Sequence, residues 1–441
     1  MAQPSRTPRL LALIGAGTLA LAACGGGSNT AAPAPSSAAP SSAPAPSGSS
    51  SAPATNAGDG TLTVGSLLPQ TGNLAFLGPP EFAGVELAVK EINEAGGVLG
   101  KDVEYVEGDS GDAQQDVANP TVDRLLAADV DAIIGAASSG VSFSVIDKIT
   151  SAGVVHYSPA NTSPDFTTYD DKGLYFRTAP SDVLQGRVLG ETIAADGYSN
   201  VGILALQDPY GEGLSKNVGD TITAGGGALA PEAPVFYDPA ASNFDAQIGQ
   251  VKSANPDAIV IIGFEETAKV IQAMVAQGIG PQDVPLYLVD GNLSNTLGED
   301  LPDGVLEDTK GTLPGASAPG EFRERVLEID DSLEEFPYTA ESYDAVITTA
   351  LAAIAAKSDA GVDIARVLPE VTRNGEKCDS FEDCSELAEA GTDFDYDGVS
   401  GPIEFSDNGD PTQASIGVYT YEGNNKYDAE AGEYQTGTIE G

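Results

Sequence analysis

TLTVGSLLPQTGNLAFLGPPEFAGVELAVKEINEAGG, residues 61–97, is the stretch whose reading decides the fold. Its opening, residues 61–68, is apolar and reads as a strand. The helix predicted over 81–95 puts Phe82, Val85, Val89 and Ile92 on one face, the spacing of an element that buries one side and wets the other. Gly96-Gly97 stops it, because a chain leaving a helix often turns through a left-handed conformation that glycine adopts without strain. A strand is predicted next over 103–107, followed by a helical region to Ala128. Within it, Asn119-Pro120 marks either a kink or a new N-terminus with Pro at the first helical position. Strand 132–135, helix 141–152 and strand 154–157 continue the alternation.

The pattern resumes after Pro180. Residues 201–206 and 258–262 are near-continuous apolar runs, as expected of parallel strands covered on both faces. Thr267, Val270, Ile271, Met274 and Val275 share one helical face ahead of a strand at 286–289. Strand-helix-strand alternation over this length implies parallel sheets with right-handed crossovers. The expected fold class is therefore α/β, with two similar Rossmann-like lobes over about 61–180 and 181–311. A further stretch, read as helical from 321 to 356, follows them.

The chain carries 20 Lys+Arg against 66 Asp+Glu, a formal net charge of −46. Such a surface repels nucleic-acid phosphates and anionic lipid alike, so neither is an expected partner. His156 is the single histidine and there is no Trp, so chemistry built on paired histidines is excluded within one chain. His156 lies in an apolar run and reads as a core residue.

The N-terminus reads as a targeting segment. Arg6 and Arg9 precede an apolar run at 10–21, shorter than the roughly 20 residues a spanning helix needs. The run ends in Leu21-Ala22-Ala23-Cys24, which resembles a bacterial lipobox and implies removal of residues 1–23 and a lipid anchor on Cys24. Residues 24–59 are rich in Ser, Pro, Ala and Gly, unable to bury enough surface to order themselves, and read as a disordered tether. Two further cysteines, Cys378 and Cys384, read as a local disulfide in an exported chain. No Cys or His accompanies them to complete a zinc site.

Several ordered stretches carry a resemblance. They are Pro69-Gln70-Thr71-Gly72, Gly84-Val85-Glu86-Leu87-Ala88, Ser138-Ser139-Gly140, Ser158-Pro159-Ala160-Asn161-Thr162, Phe176-Arg177-Thr178-Ala179-Pro180-Ser181-Asp182, Gln185-Gly186, Tyr210-Gly211-Glu212-Gly213 and Tyr396-Asp397-Gly398-Val399-Ser400-Gly401. Together the chain from about 61 to 425 resembles the leucine/isoleucine/valine-binding family, the type I periplasmic solute receptors of ABC importers. That resemblance implies three crossings between lobes, near Pro180, 311–314 and 410–413. Lobe one would comprise 60–180 with 312–412, and lobe two 181–311 with 413–441. Ligand would lie between the carboxyl ends of the two sheets, the general site in open α/β folds.

The same resemblance assigns residues. Ser139, with Ser138 beside it, opens a helix after a buried strand, where free N–H groups suit a carboxylate; the plain alternative is a helix cap. Thr162 would donate to the ligand carboxylate, and the Ala160 carbonyl would accept from its ammonium. Asp290 takes the place of the family's usual Glu opposite the ammonium, shorter by one methylene. Tyr210, Phe264 and Leu77 would wall the side-chain pocket, with core packing as the alternative.

One motif is a decoy. Asp393, Asp395 and Asp397, with Gly398 and Glu404, have calcium-loop spacing. Pro402 interrupts the loop, and Ile403-Glu404-Phe405 alternates like a strand, so no metal or other cofactor is expected. The expected function is that of an exported, lipid-anchored and monomeric receptor. It would deliver a branched-chain or related aliphatic amino acid to an ABC permease, without catalysis. Receptors for amide, urea-like or aromatic acid ligands, and the sensing part of a signalling system, stand as alternatives.

Overall fold

A computed structural model describes residues 58–112 and 116–439. The leader, Cys24 and residues 24–57 of the tether lie outside the described residues. In chain order the first lobe opens with β1 (Thr63–Leu67), α1 (Gly78–Glu94), β2 (Glu104–Val106), α2 (Ala118–Ala127), β3 (Ala132–Gly135), α3 (Ser139–Ser151), β4 (Val155–Ser158) and β5 (Tyr175–Arg177). Its five strands form a parallel sheet in the order β2-β1-β3-β4-β5. β1, β3 and β4 are buried along their whole length, because helices cover both faces. α2 starts ahead of Pro120, so the proline sits in its first turn rather than at a kink.

The chain then enters the second lobe through residues 178–181. There it forms α4 (Asp182–Ala195), β6 (Asn200–Leu206), α5 (Pro209–Ala224), β7 (Ala228–Leu229), β8 (Val235–Tyr237), α6 (Asp245–Ala254), β9 (Ala258–Ile262), α7 (Thr267–Ala276), β10 (Leu286–Leu288) and β11 (Lys310–Pro314). β11 pairs with β10, so the second sheet carries the chain to Pro314.

Back in the first lobe come α8 (Gly320–Leu327), α9 (Thr339–Ala356), α10 (Gly361–Val367), β12 (Glu376–Cys378), α11 (Phe381–Ala390), β13 (Phe394–Gly398) and β14 (Gly401–Pro402). β15 (Gln413–Thr420) and β16 (Glu433–Thr438) finally join the second sheet antiparallel, β15 against β11. The second sheet runs β16-β15-β11-β10-β9-β6-β7, with β8 also on β6.

The helix read as continuous from 321 to 356 is two helices. Asp330 accepts hydrogen bonds from the Ser332 N–H and hydroxyl, which stabilises a turn after α8. Pro337 lacks an N–H to continue a helix. Tyr338 then takes a left-handed φ of 56° and starts α9 in a new direction. α9 packs against α1 at Gly84, where a Cβ would overlap the Thr339 carbonyl oxygen.

Cys378 and Cys384 form a disulfide between β12 and α11. The calcium-like spacing falls on β13, where Lys377 pairs with Asp395 at 3.0 Å and Asp397 at 2.8 Å. Among the described residues no group of His, Cys, Asp and Glu is placed to hold a metal ion.

Candidate functional site

β3 and β4 are neighbours, so the loops that follow them meet at one edge of the first sheet. Gly135 makes the first turn possible at φ 122°, where any Cβ would collide with the Leu67 backbone. The amide of Asn161 then fastens the two loops together by donating to the carbonyls of Ala136 (2.9 Å) and Ala137 (2.8 Å). Ser138 caps α3, its Oγ accepting from the Val141 N–H at 3.4 Å. Ser139 is the first residue of α3, and its Oγ accepts from the Ser163 N–H at 3.3 Å. Its hydroxyl lies at the positive end of the α3 dipole and keeps a proton it can donate. Ala160 and Thr162 are buried in the adjoining loop, and the Thr162 carbonyl accepts from the Asp182 N–H at 2.8 Å.

The opposite edge is acidic. Asp290 follows β10 and is buried. Its Oδ1 accepts from Gln185 Nε2 at 2.8 Å and from the Tyr210 hydroxyl at 2.9 Å. Its Oδ2 accepts from the Tyr338 hydroxyl at 2.7 Å. Burial raises its pKa from the ordinary carboxylate value, against the opposing pull of those three donors. Asp182, the first residue of α4, is 0% exposed; the Thr162 hydroxyl is its polar neighbour but is not in good hydrogen-bonding geometry with either carboxyl oxygen. Burial, and next the Asp290 carboxylate, push its pKa well above the ordinary value, outweighing the opposite pull of the Thr162 hydroxyl and Arg177. Asp182 is thus a buried acid with unused acceptors, set between a hydroxyl of one edge and a carboxylate of the other.

Apolar side chains close the remaining walls. Leu77 precedes α1, Tyr210 lies in the first turn of α5, and Phe264 follows β9. The Tyr210 and Phe264 rings are stacked at 5.7 Å between centroids. Leu77, Ala160, Tyr210, Phe264 and Tyr338 belong to one contiguous buried cluster drawn from both lobes. The lobes also meet where the Glu265 N–H donates to the Asn73 carbonyl at 3.1 Å.

The structure therefore buries Ser138, Ser139, Ala160, Thr162, Tyr210, Asp290, Phe264 and Leu77 and distributes them over the two edges and the wall between them. Ser138 differs from its neighbour in having its Oγ turned to the helix as a cap. Three residues outside the sequence assignment border the same space. Asp182 stands in Pro180-Ser181-Asp182, where an acid after a Ser cap reads as a helix-dipole partner. Gln185 lies one turn further along α4. Tyr338 stands at a break in a stretch whose composition reads as one continuous helix.

A family model described as "periplasmic binding protein" matches residues 61–426. Leu/Ile/Val-binding protein homolog 1 of Brucella suis biovar 1 (strain 1330) is 30% identical over 321 residues, covering 70% of this chain and 82% of that protein. The chain belongs to the leucine/isoleucine/valine-binding family of type I periplasmic binding proteins. These are extracytoplasmic solute receptors, not enzymes, that bind small amino-acid ligands and work with ABC permeases.

Solved structures of the same fold include the substrate-binding protein LivJ of Streptococcus pneumoniae in complex with isoleucine. It superposes with a TM-score of 0.68 at 23% identity, covering 86% of this chain and 100% of that one. A solute-binding protein from R. palustris in complex with benzoate superposes with a TM-score of 0.64 at 19% identity, covering 86% of this chain and 98% of that one. In this periplasmic binding protein the chain passes between the two main sheets after β5, after β11 and before β15.

Proposed function

We propose that this periplasmic binding protein captures a branched-chain or related aliphatic amino acid as a zwitterion and hands it to an ABC permease. In this reading the ligand carboxylate lies against Ser139, Thr162 and the first turn of α3. The ammonium lies between Asp182, Asp290 and the Ala160 carbonyl. Leu77, Tyr210 and Phe264 enclose an aliphatic side chain.

The observation that carries the reading is Asp182, fully buried next to the Asp290 carboxylate with only the Thr162 hydroxyl, in poor hydrogen-bonding geometry, to offset its charge. Charge in such a place is stabilised only by an opposite charge, and a ligand ammonium supplies one. An aromatic acid such as benzoate, held by the structural neighbour above, brings a carboxylate alone and supplies no cation to either acid. That favours the amino acid over the acid.

Residues 1–23 serve as the leader, Cys24 as the lipid anchor, and 24–59 as the tether that holds a monomeric receptor near its permease. Mass measurement of the protein from membranes tests the anchor: a diacylglyceryl Cys24 at the N-terminus is expected, and an unmodified Cys24 contradicts it. Thermal-shift screening of the protein against the amino acids and benzoate tests the ligand class, because a ligand bound by the native state alone raises Tm. The reading requires the largest shifts from leucine, isoleucine or valine. A shift with benzoate and none with amino acids replaces it with the aromatic-acid reading.

A further inference from the structure

Arg177, at the end of β5, is 0% exposed, and its guanidinium spends its donors on the framework of the cleft. Nε donates to Asp410 Oδ1 at 2.6 Å. Nη1 donates to the carbonyls of Ser163 (2.8 Å) and Asn161 (3.2 Å). Nη2 donates to Thr167 Oγ1 at 3.2 Å, and the Thr167 hydroxyl donates in turn to Asp410 Oδ2 at 2.6 Å. The guanidinium also lies 5.8 Å from the Phe166 ring centroid, and that ring is stacked between Phe143 (3.9 Å) and Tyr175 (4.5 Å).

Two features give this network a role beyond stability. The carbonyls it captures stand on either side of Thr162, whose own carbonyl is taken by the Asp182 N–H. Three consecutive carbonyls are thus committed, and the backbone of the loop is fixed around the residue assigned to the ligand carboxylate. The other end of the network, Asp410, opens the last segment between lobes, and the Arg177 N–H also donates to the Gly409 carbonyl at 3.1 Å. A planar guanidinium fork fixes direction as well as distance, which a flexible ammonium does not. Buried ion pairs seldom repay their desolvation as stability alone, whereas fixing one conformation is a use such pairs have.

We propose that Arg177 and Asp410 are positioning residues for ligand binding. The pair holds loop 161–163 in its ligand-accepting shape and ties it to the last interlobe segment, so that loop and hinge move together. This rests on the reading of Thr162 as a ligand contact.

The test uses full-chain Asp410→Asn and, as the milder variant that folds if the first does not, Thr167→Val. In ligand-free protein, hydrogen exchange across 158–164 is expected to speed up by about tenfold while β3 and β9 stay protected. L-leucine affinity, read by calorimetry at room temperature, is expected to fall by about tenfold for the same variants. A purely structural role lowers Tm but leaves the affinity of the folded protein in place. Unchanged exchange at 158–164 overturns the proposal. So does a loosened loop whose L-leucine affinity stays within about twofold of wild type. If wild-type protein binds no amino acid, the proposed function fails by itself, and the exchange measurement still decides whether the pair holds the loop.

Discussion

The two edges of the cleft are built from opposite chemistry. The first-lobe edge offers neutral donors, the Ser139 hydroxyl and the α3 N-terminus, in loops already tied together through Asn161. The facing edge offers two buried acids, Asp182 and Asp290, each with its pKa raised by burial. Neutral donors cost little to hold in place without ligand, because backbone and side-chain partners already satisfy much of their bonding. A buried acid is stable there only when protonated or when a cation arrives. The contrast assigns orientation to the first edge and charge selection to the second.

The hardest test of that division is Asp182→Asn, which keeps the shape and removes the acid. L-leucine affinity should fall by about a hundredfold, the scale of a lost charge pair at a buried contact. The ligand-free Tm should hold or rise, since an uncompensated buried acid is gone. Calorimetry and thermal unfolding read both, and a loss smaller than about fivefold breaks the comparison.

On the neutral edge, Ser139→Ala should cost only about tenfold, the worth of one hydrogen bond to a charged group. Equal losses at the two positions would erase the distinction between the edges.

pH sharpens it further. Burial raises the pKa of both acids in the ligand-free protein, and a bound ammonium favours their ionised forms. Binding therefore releases protons, and L-leucine affinity should rise severalfold as pH is raised from the ordinary carboxylate range toward neutral. Calorimetry in buffers of different ionisation enthalpy measures the release directly, and affinity that is flat or falls with pH contradicts it.

The smallest effect on binding belongs to an acid outside the pair. Glu341 on α9 is pushed up to about 8 by burial. A folded-state pKa above the unfolded one means stability is full below the unfolded value, about 4.3, and is lost as pH rises through about 8. Glu341→Gln should flatten the fall of Tm across that window while leaving L-leucine affinity unchanged. An affinity loss would move Glu341 into the site.

Much of this was legible in the sequence because it depends on local pattern. The apolar runs at 201–206 and 258–262 have the pattern of strands buried on both faces, and both are such strands. The serines ahead of α3 announce a helix start by residue type alone. What the sequence hid depends on contacts far apart in the chain. Asp182 looks like an ordinary helix-start acid until α4 is packed beside Thr162 and Asp290. Tyr338 reaches Asp290 because Pro337 and a left-handed Tyr338 break a helix whose composition reads as continuous. Arg177 and Asp410 are 233 residues apart, and no spacing rule pairs them.

The division of labour is tested most directly by calorimetry with L-leucine beside two ligands that each carry half of its charge. Isocaproate keeps the side chain and carboxylate without the ammonium, and isoamylamine keeps the side chain and ammonium without the carboxylate. The account predicts that leucine binds, that both halves bind weakly, and that isocaproate is worse by about a hundredfold or more because it leaves the two acids unmatched. Isocaproate binding as tightly as leucine would contradict it.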